Sequence, residues 1–358
     1  MLRLTLILFF FLITGCARIG YLAEQGVEQF KIQWLKDRNN VEILNDPTVP
    51  KLVKHKILLI QEYKKFFYNY FSEKETGIYT RTTMLDTEAV SYLVIASPHN
   101  KIEAHEFEFP FVGSFPYIGF FKKSSARNFA QKLQRDENLV TFIRPVFAYS
   151  TLGYLEDRIL SSFFEYNDIE LAELVFHELF HTIFFVKDNV DLNENLANFY
   201  GKELLKEYFK DQNQLIEYFK TVEKKEILAD RIVELISILQ GEFDKLGVFL
   251  DDKKADEITA RFVSDVLLPE VKKTCESLGL KGRDCEFRNQ WNQASFAAFL
   301  TYEKEQDFLT GLKQSLNMSL VEFLAWLRKE DKKFQQSSHE ESFMDYLKAR
   351  AHAPPSAD

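Results

Sequence analysis

Residues 171–201 read LAELVFHELFHTIFFVKDNVDLNENLANFYG. Leu171, Leu174, Val175, Leu179, Ile183 and Phe184 recur at helical spacing, which predicts an amphipathic helix over 168–187. His177 and His181 stand four residues apart and so share one face of that helix. The same face borders the core, where two imidazoles without partners would be costly. With Glu178 they spell H-E-x-x-H. Two imidazoles one turn apart can reach a single Zn²⁺, and a glutamate beside the first can hold and deprotonate a water at the metal.

Such a centre needs a third donor. TIFFVKDNVDLN separates His181 from Glu194, and KDNVD within it reads as a reversal between antiparallel helices. Glu194 then opens a helix over 192–209 and faces back toward the histidines, while the small Ala197 lets the two helices approach. His177, His181 and Glu194 make a His2Glu set with an open fourth position, which suits catalysis rather than a closed structural site. Asn198 is a candidate lining group or partner behind these residues. Glu173, four residues before His177, reads equally as an acceptor for an imidazole proton or as a solvated early-turn residue. Asp168 and Glu170 suit the positive end of the helix, and Asp191 or Asn193 could cap the next one. The competing reading is a helical hairpin whose histidines are merely hydrogen-bonded.

Outward from this hairpin, the first residues MLRLTLILFFFLITGC carry Arg3, an apolar run from Leu4 to Ile13 and a small-residue step into Cys16. That run is too short to span a bilayer and reads as an export signal over 1–15. ITGC resembles the bacterial lipobox, in which the cysteine becomes the lipidated first residue. Ala17 in place of Asp favours, by resemblance to known sorting signals, an anchor in the outer membrane of a Gram-negative cell, facing the periplasm. In that oxidising compartment Cys275 and Cys285, in TCESLGLKGRDCEF, are expected to close a disulfide loop, with free core cysteines as the alternative.

Elsewhere, helices are expected over 20–45 and 50–70, broken by NDPTVP. AVSYLVIAS (89–97), AHEFEFPFVGSFPYIGFF (104–121) and LVTFIRPVFAYS (139–150) read as strands, with a helix over 124–137. Beyond Leu155 the periodicity is helical: 155–165, 168–187, 192–209, 212–242, 252–276, 289–304, 306–316 and 319–331, before a loose tail. The fold class is α+β, predominantly α-helical, with a zincin-like metal hairpin preceded by a small antiparallel or mixed sheet. One metallopeptidase-like domain is expected over 16–350, with a helical part at 20–70, a sheet region at 84–150 and a helical part at 155–345. His99 and His105 lie in the sheet region and read as non-ligands. The net charge of −9, without a basic patch, argues against a nucleic-acid partner.

GCARIGYLAEQGVEQF, FPFVGSFPYIGFF, AYSTLGYLEDRILSSFF, HELFHTIFF with NENLA, and NQASFAAFLTY together resemble the bacterial predicted aminopeptidases of zincin type, many of them lipoproteins. The resemblance covers most of the chain. It implies a Zn²⁺-dependent peptidase acting at peptide N-termini, with His177, His181 and Glu194 as ligands and Glu178 as base. Tyr149 and Tyr154, in AYSTLGYLEDR, are candidates for a phenol that donates to the oxyanion, with simple packing as the alternative. Two positions depart from the family pattern: Arg158 where Pro often stands, and Leu192 where Phe is usual. Two rival functions remain open, an envelope endopeptidase or other amidase with the same centre, and a structural or assembly lipoprotein that keeps zinc without turnover.

Overall fold

The structure is a computed structural model that describes residues 37–351, apart from 88, 110–112, 148–155, 187–188, 210–211, 286–290, 302–305 and 337–341. The export signal, Cys16, Tyr149 and Tyr154 lie outside the described residues. The chain is α+β and predominantly helical, and the strands among the described residues form three small sheets.

Strand β1 (Asp37–Asn39) leads directly into the short α1 (Asn40–Asn45), where a helix over 20–45 was expected. The cause is electrostatic and comes from residues distant in sequence. Asp37 accepts from Arg81 and pairs with Arg158 (3.0 Å), so β1 is held in extended form against β2 (Arg81–Thr83). The Arg158 side chain is only 6 % exposed, so it serves as a buried ion-pair partner. Helix α2 (Lys51–Tyr70) follows Pro50, as expected.

Strands β3 (Ser91–Ser97), β4 (Phe107–Phe109), β5 (Gly113–Phe115) and β6 (Ile118–Phe120) precede α3 (Lys123–Asp136) and β7 (Val140–Val146). β3 lies between β6 and β7, antiparallel to both, and α3 packs on this sheet through Ala126, Ala130 and Leu133. β4 and β5 form a separate hairpin. β8 (Ile159–Leu160) runs parallel to β2 and turns into a 3₁₀ segment, Ser161–Glu165, so the helix expected over 155–165 is not present.

The helical part begins with α4 (Asp168–Phe180) and α5 (Val190–Tyr208). It continues through the long α6 (Gln212–Leu246), α7 (Asp252–Phe262) and α8 (Leu268–Leu278), the last two joined by a π-helical turn over Val263–Leu267. Helices α9 (Gln293–Thr301), α10 (Gln306–Ser315), α11 (Leu320–Gln336) and α12 (Phe343–Ala351) complete the chain. α12 lies beyond the last helix read from sequence. Cys275, in α8, is bonded to Cys285, with Cα atoms 5.7 Å apart. Among the described residues no helix is long and apolar enough to cross a membrane.

Among the described residues the core divides into three apolar clusters. The largest gathers α2, α4, α5 and α10 to α12, with Phe67, Phe176, Phe180, Tyr200, Phe323 and Phe343 essentially without solvent contact. Truncating one such buried phenylalanine to alanine costs about 3–5 kcal/mol. A second cluster holds the far half of α6 against α7, α8 and the disulfide, and a third lies between the β3 sheet and α3. α6 serves the first cluster through Leu215 and the second from Leu228 onward.

Candidate functional site

The site is built on α4 and α5. α4 starts at a capping box: Asn167 Oδ1 accepts from the Ile169 and Glu170 amides (3.1 and 3.0 Å), while Glu170 returns an acceptor to the Asn167 amide (3.1 Å). It ends at Phe180, earlier than its apolar pattern suggests, because the Thr182 hydroxyl takes the Leu179 carbonyl (2.7 Å) and Arg328 takes that of Ile183 (2.7 Å). His181 still has helical dihedrals, so it stays one turn from His177.

The connection to α5 is fixed from inside. Asn193 is buried; its Oδ1 accepts from the Val186 amide (2.8 Å), and its Nδ2 donates to the carbonyls of Val186 and Asn189 (2.7 and 2.8 Å). Its role is therefore to latch the loop, while Asn189 occupies the N-cap without a side-chain bond. The two helices run antiparallel, since Glu194 meets the histidines, Asn198 meets His177, and Gly201 meets Glu173. At Gly201 the helices approach so closely that a Cβ would stand 3.2 Å from the Glu173 carbonyl oxygen. Ala197 is buried in the same interface, which the Phe180–Tyr200 stack reinforces with ring centres 4.2 Å apart.

This packing brings His177, His181 and Glu194 together. The two Nε2 atoms are 3.3 Å apart, and each lies 3.4 Å from an oxygen of Glu194. The three side chains could hold one metal ion. Asn198 Oδ1 accepts from His177 Nδ1 (2.8 Å), which places the ring proton on Nδ1 and leaves the Nε2 lone pair facing the group. Among the described residues, His181 Nδ1 is buried without a partner.

The charges around the group are unequal. Burial lowers His181 to about 4, and the neighbouring His177 adds to that shift. Burial also acts to lower His177, but its bond to Glu194 and the Glu178 and Glu194 charges leave it above the ordinary histidine value. Partial burial works against the Glu194 carboxylate, yet His177 holds it below its usual value. Glu178 is 6 % exposed and makes no hydrogen bond among the described residues. Burial raises its carboxyl to about 7, a shift that His177 opposes and that Glu194 and Asp157 reinforce.

A cavity of about 1220 Å³ opens from His177, Glu178 and Asn198, passes Glu173 and Tyr218, and reaches the Lys225–Asp284 ion pair. Glu173 accepts a hydrogen bond from the Tyr218 phenol, a partner that neither of its sequence readings named. Asp168 is tied to Lys56 (2.7 Å). His99 pairs with Asp256 (2.9 Å) and His105 stacks edgewise on Phe107, both away from the cavity.

Three neighbours escape a reading of the sequence. Tyr218 comes from α6 and is distant in sequence from the motif. Asp157 is buried and adds negative charge near Glu178. Tyr79 is fully buried at φ 60°, with Glu178 and Asp157 both within electrostatic reach of its phenol. A non-glycine residue in this left-handed region stores strain, but only the three-dimensional structure reveals it.

No curated protein and no solved structure matches the chain. A family model described as "Putative aminopeptidase" matches residues 20–342, and the chain belongs to that family.

Proposed function

We propose that the protein is a zinc-dependent aminopeptidase in which His177, His181 and Glu194 hold the metal and Glu178 is the general base. The observation that carries this reading is the spacing of the three donors. A tetrahedral zinc with ligand bonds of about 2.0–2.1 Å sets its donor atoms about 3.3 Å apart. The donor separations here are 3.3, 3.4 and 3.4 Å. Three converging acceptors repel one another unless a cation or protons lie between them, and His181 resists protonation in its buried position. The donor chemistry, two imidazoles and one carboxylate, also matches a catalytic rather than a structural zinc site.

Bound zinc would supply a Lewis acid for the scissile carbonyl and lower the pKa of a water at the open position. Glu178, beside His177 and lining the cavity, is placed to take a proton from that water on its carboxylate and deliver it to the leaving amine. A cation held by the histidines and Glu194 would draw the Glu178 carboxyl below about 7 and keep it ionised when the reaction starts. Asn198 fixes the His177 ring, and the cavity receives the peptide. The lipobox-like start supports an anchor at Cys16 that would hold the enzyme on the periplasmic face of the outer membrane. Replacing Cys16 by Ala should then move the protein from the membrane fraction to the soluble one.

The test uses soluble protein beginning after Cys16, incubated with a mixed peptide library. One zinc per chain and release of N-terminal amino acids, lost in Glu178→Gln with zinc retained, is the expected result. Internal cleavage would make the enzyme an endopeptidase. Bound zinc without cleavage of any peptide would point to a non-peptide amide or a structural lipoprotein.

A further inference from the structure

An enzyme that trims free N-termini has to recognise an ammonium group close to the reacting carbonyl. In any peptide, the amino nitrogen and carbonyl carbon of the first residue are roughly 2.5 Å apart, because only Cα separates them. The receptor for that ammonium must therefore sit within about one side-chain length of the metal group. It must also be an acceptor whose charge is not already taken.

The cavity contains six carboxylates and two lysines. Four of those acids are engaged. Asp168 is held by Lys56 (2.7 Å), Asp284 by Lys225 (3.6 Å), Glu217 by Lys220 (2.7 Å), and Glu170 by the Asn167 amide (3.1 Å). Glu178 is assigned to the water. The remaining acid is Glu173, on the same face of α4 as His177 and one turn before it, with Cβ atoms about 5–6 Å apart at that spacing. Its hydrogen-bond partner is the neutral phenol of Tyr218, and among the described residues no cation lies within ion-pair distance of its carboxylate. The Glu178 carboxylate, almost fully buried in the same cavity and without a hydrogen bond or ion pair among the described residues, independently marks this space as a ligand site.

We propose that Glu173, oriented by Tyr218, receives the α-ammonium of the substrate and restricts the site to removal of single residues from free peptide N-termini. The proposal rests on the peptidase reading above. Tyr218 occupies one carboxylate oxygen and leaves the other for the ammonium; burial raises the Glu173 carboxyl and Tyr218 opposes that shift, so an incoming cation completes the charge balance there. An N-acetylated peptide has no such group and would leave Glu173 unpaired.

Binding can be measured apart from turnover in the zinc-loaded Glu178→Gln protein, by calorimetry with a tripeptide and its N-acetyl form. The free tripeptide should bind about 30-fold more tightly or better, and Glu173→Gln added to this protein should reduce it to the affinity of the acetylated one. Tyr218→Phe, which keeps the acid but frees its orientation, should lose part of the preference. Thermal melting of each variant checks that the fold is retained. Equal affinities in the parent, binding of neither peptide, or a preference that survives Glu173→Gln would each overturn the proposal. Turnover by the protein with Glu178 intact separates the two ideas. Cleavage of free and acetylated peptides alike would sink the ammonium receptor and leave the peptidase standing, whereas no cleavage of either would sink the peptidase reading itself.

Discussion

At the scale of single residues, the histidine pair and Glu178 were legible because their spacing is tied to the period of a helix. Glu194 was legible because a reversal separates it from them, so that the second helix returns over the first. What supports them was less visible. Glu173 shares the helical face of the motif, but its partner, Tyr218, arrives on α6 from far along the chain. Nothing in the local sequence announces that meeting, nor the approach of Asp157 to Glu178. Asn198 was legible as a polar group one turn after Glu194, and its bond to His177 Nδ1 gives it a measurable effect. Asn198→Ala should lower zinc affinity about 10–100-fold while the protein stays folded, as read by competition with a chromogenic chelator. Unchanged affinity would mean that the ring is held by other contacts.

Elements were legible in proportion to their length. The helices α2, α3, α5 and α6 and the strands β3 and β7 carry several periods of apolar repeat, and they stand where the periodicity places them. The strands β1 and β8 have three and two residues, too few to show alternation, and they exist because of partners elsewhere in the chain. α4 stops short of its apolar pattern because Thr182 and Arg328 take carbonyls that a continuing helix would use. Asn193 sits in the first turn of α5, and the same competition turns its side chain back to the loop instead of capping the helix. Asn193→Ala removes three hydrogen bonds and leaves buried backbone groups at Val186 unpaired. The expected loss is about 1–3 kcal/mol in urea unfolding, together with weaker zinc binding because Glu194 lies one residue further along α5. Wild-type stability in this variant would show that the loop is held in some other way.

Across the whole molecule, the helical character and the sheet of β3, β6 and β7 could be read from sequence, but the sheet of β1, β2 and β8 and the division of the described core into three clusters could not. That division depends on which faces meet, and the long α6 joins two of the clusters by presenting different stretches of its length. The disulfide belongs to the second cluster, and the 3₁₀ turn Gly282–Asp284 just before Cys285 places Asp284 at the cavity rim opposite Lys225. The C-terminal helices are clasped by Glu330, whose 2 %-exposed side chain accepts from Lys333 (2.7 Å), Tyr346 (2.7 Å) and Arg350 (3.2 Å). Burial alone would raise this carboxyl, but those three bonds hold it below the ordinary glutamate value. A lowered folded-state pKa stabilises the fold at pH values above the unfolded-state pKa, about 4.3, and that contribution is lost as pH falls through the folded-state value. Acid unfolding should therefore move to higher pH when the clasp is cut in Tyr346→Phe, as followed by circular dichroism. An unshifted transition would mean that Glu330 gives no pH-linked stability.

The central claim is that one metal ion, held by His177, His181 and Glu194, is required for peptide hydrolysis. The most direct measurement strips the protein with a chelator, then titrates zinc back while following release of the N-terminal residue from a peptide. Activity should vanish on stripping and return to a plateau at one zinc per chain, with no recovery in Glu178→Gln. Hydrolysis that survives chelation, or that persists in Glu178→Gln, would contradict it.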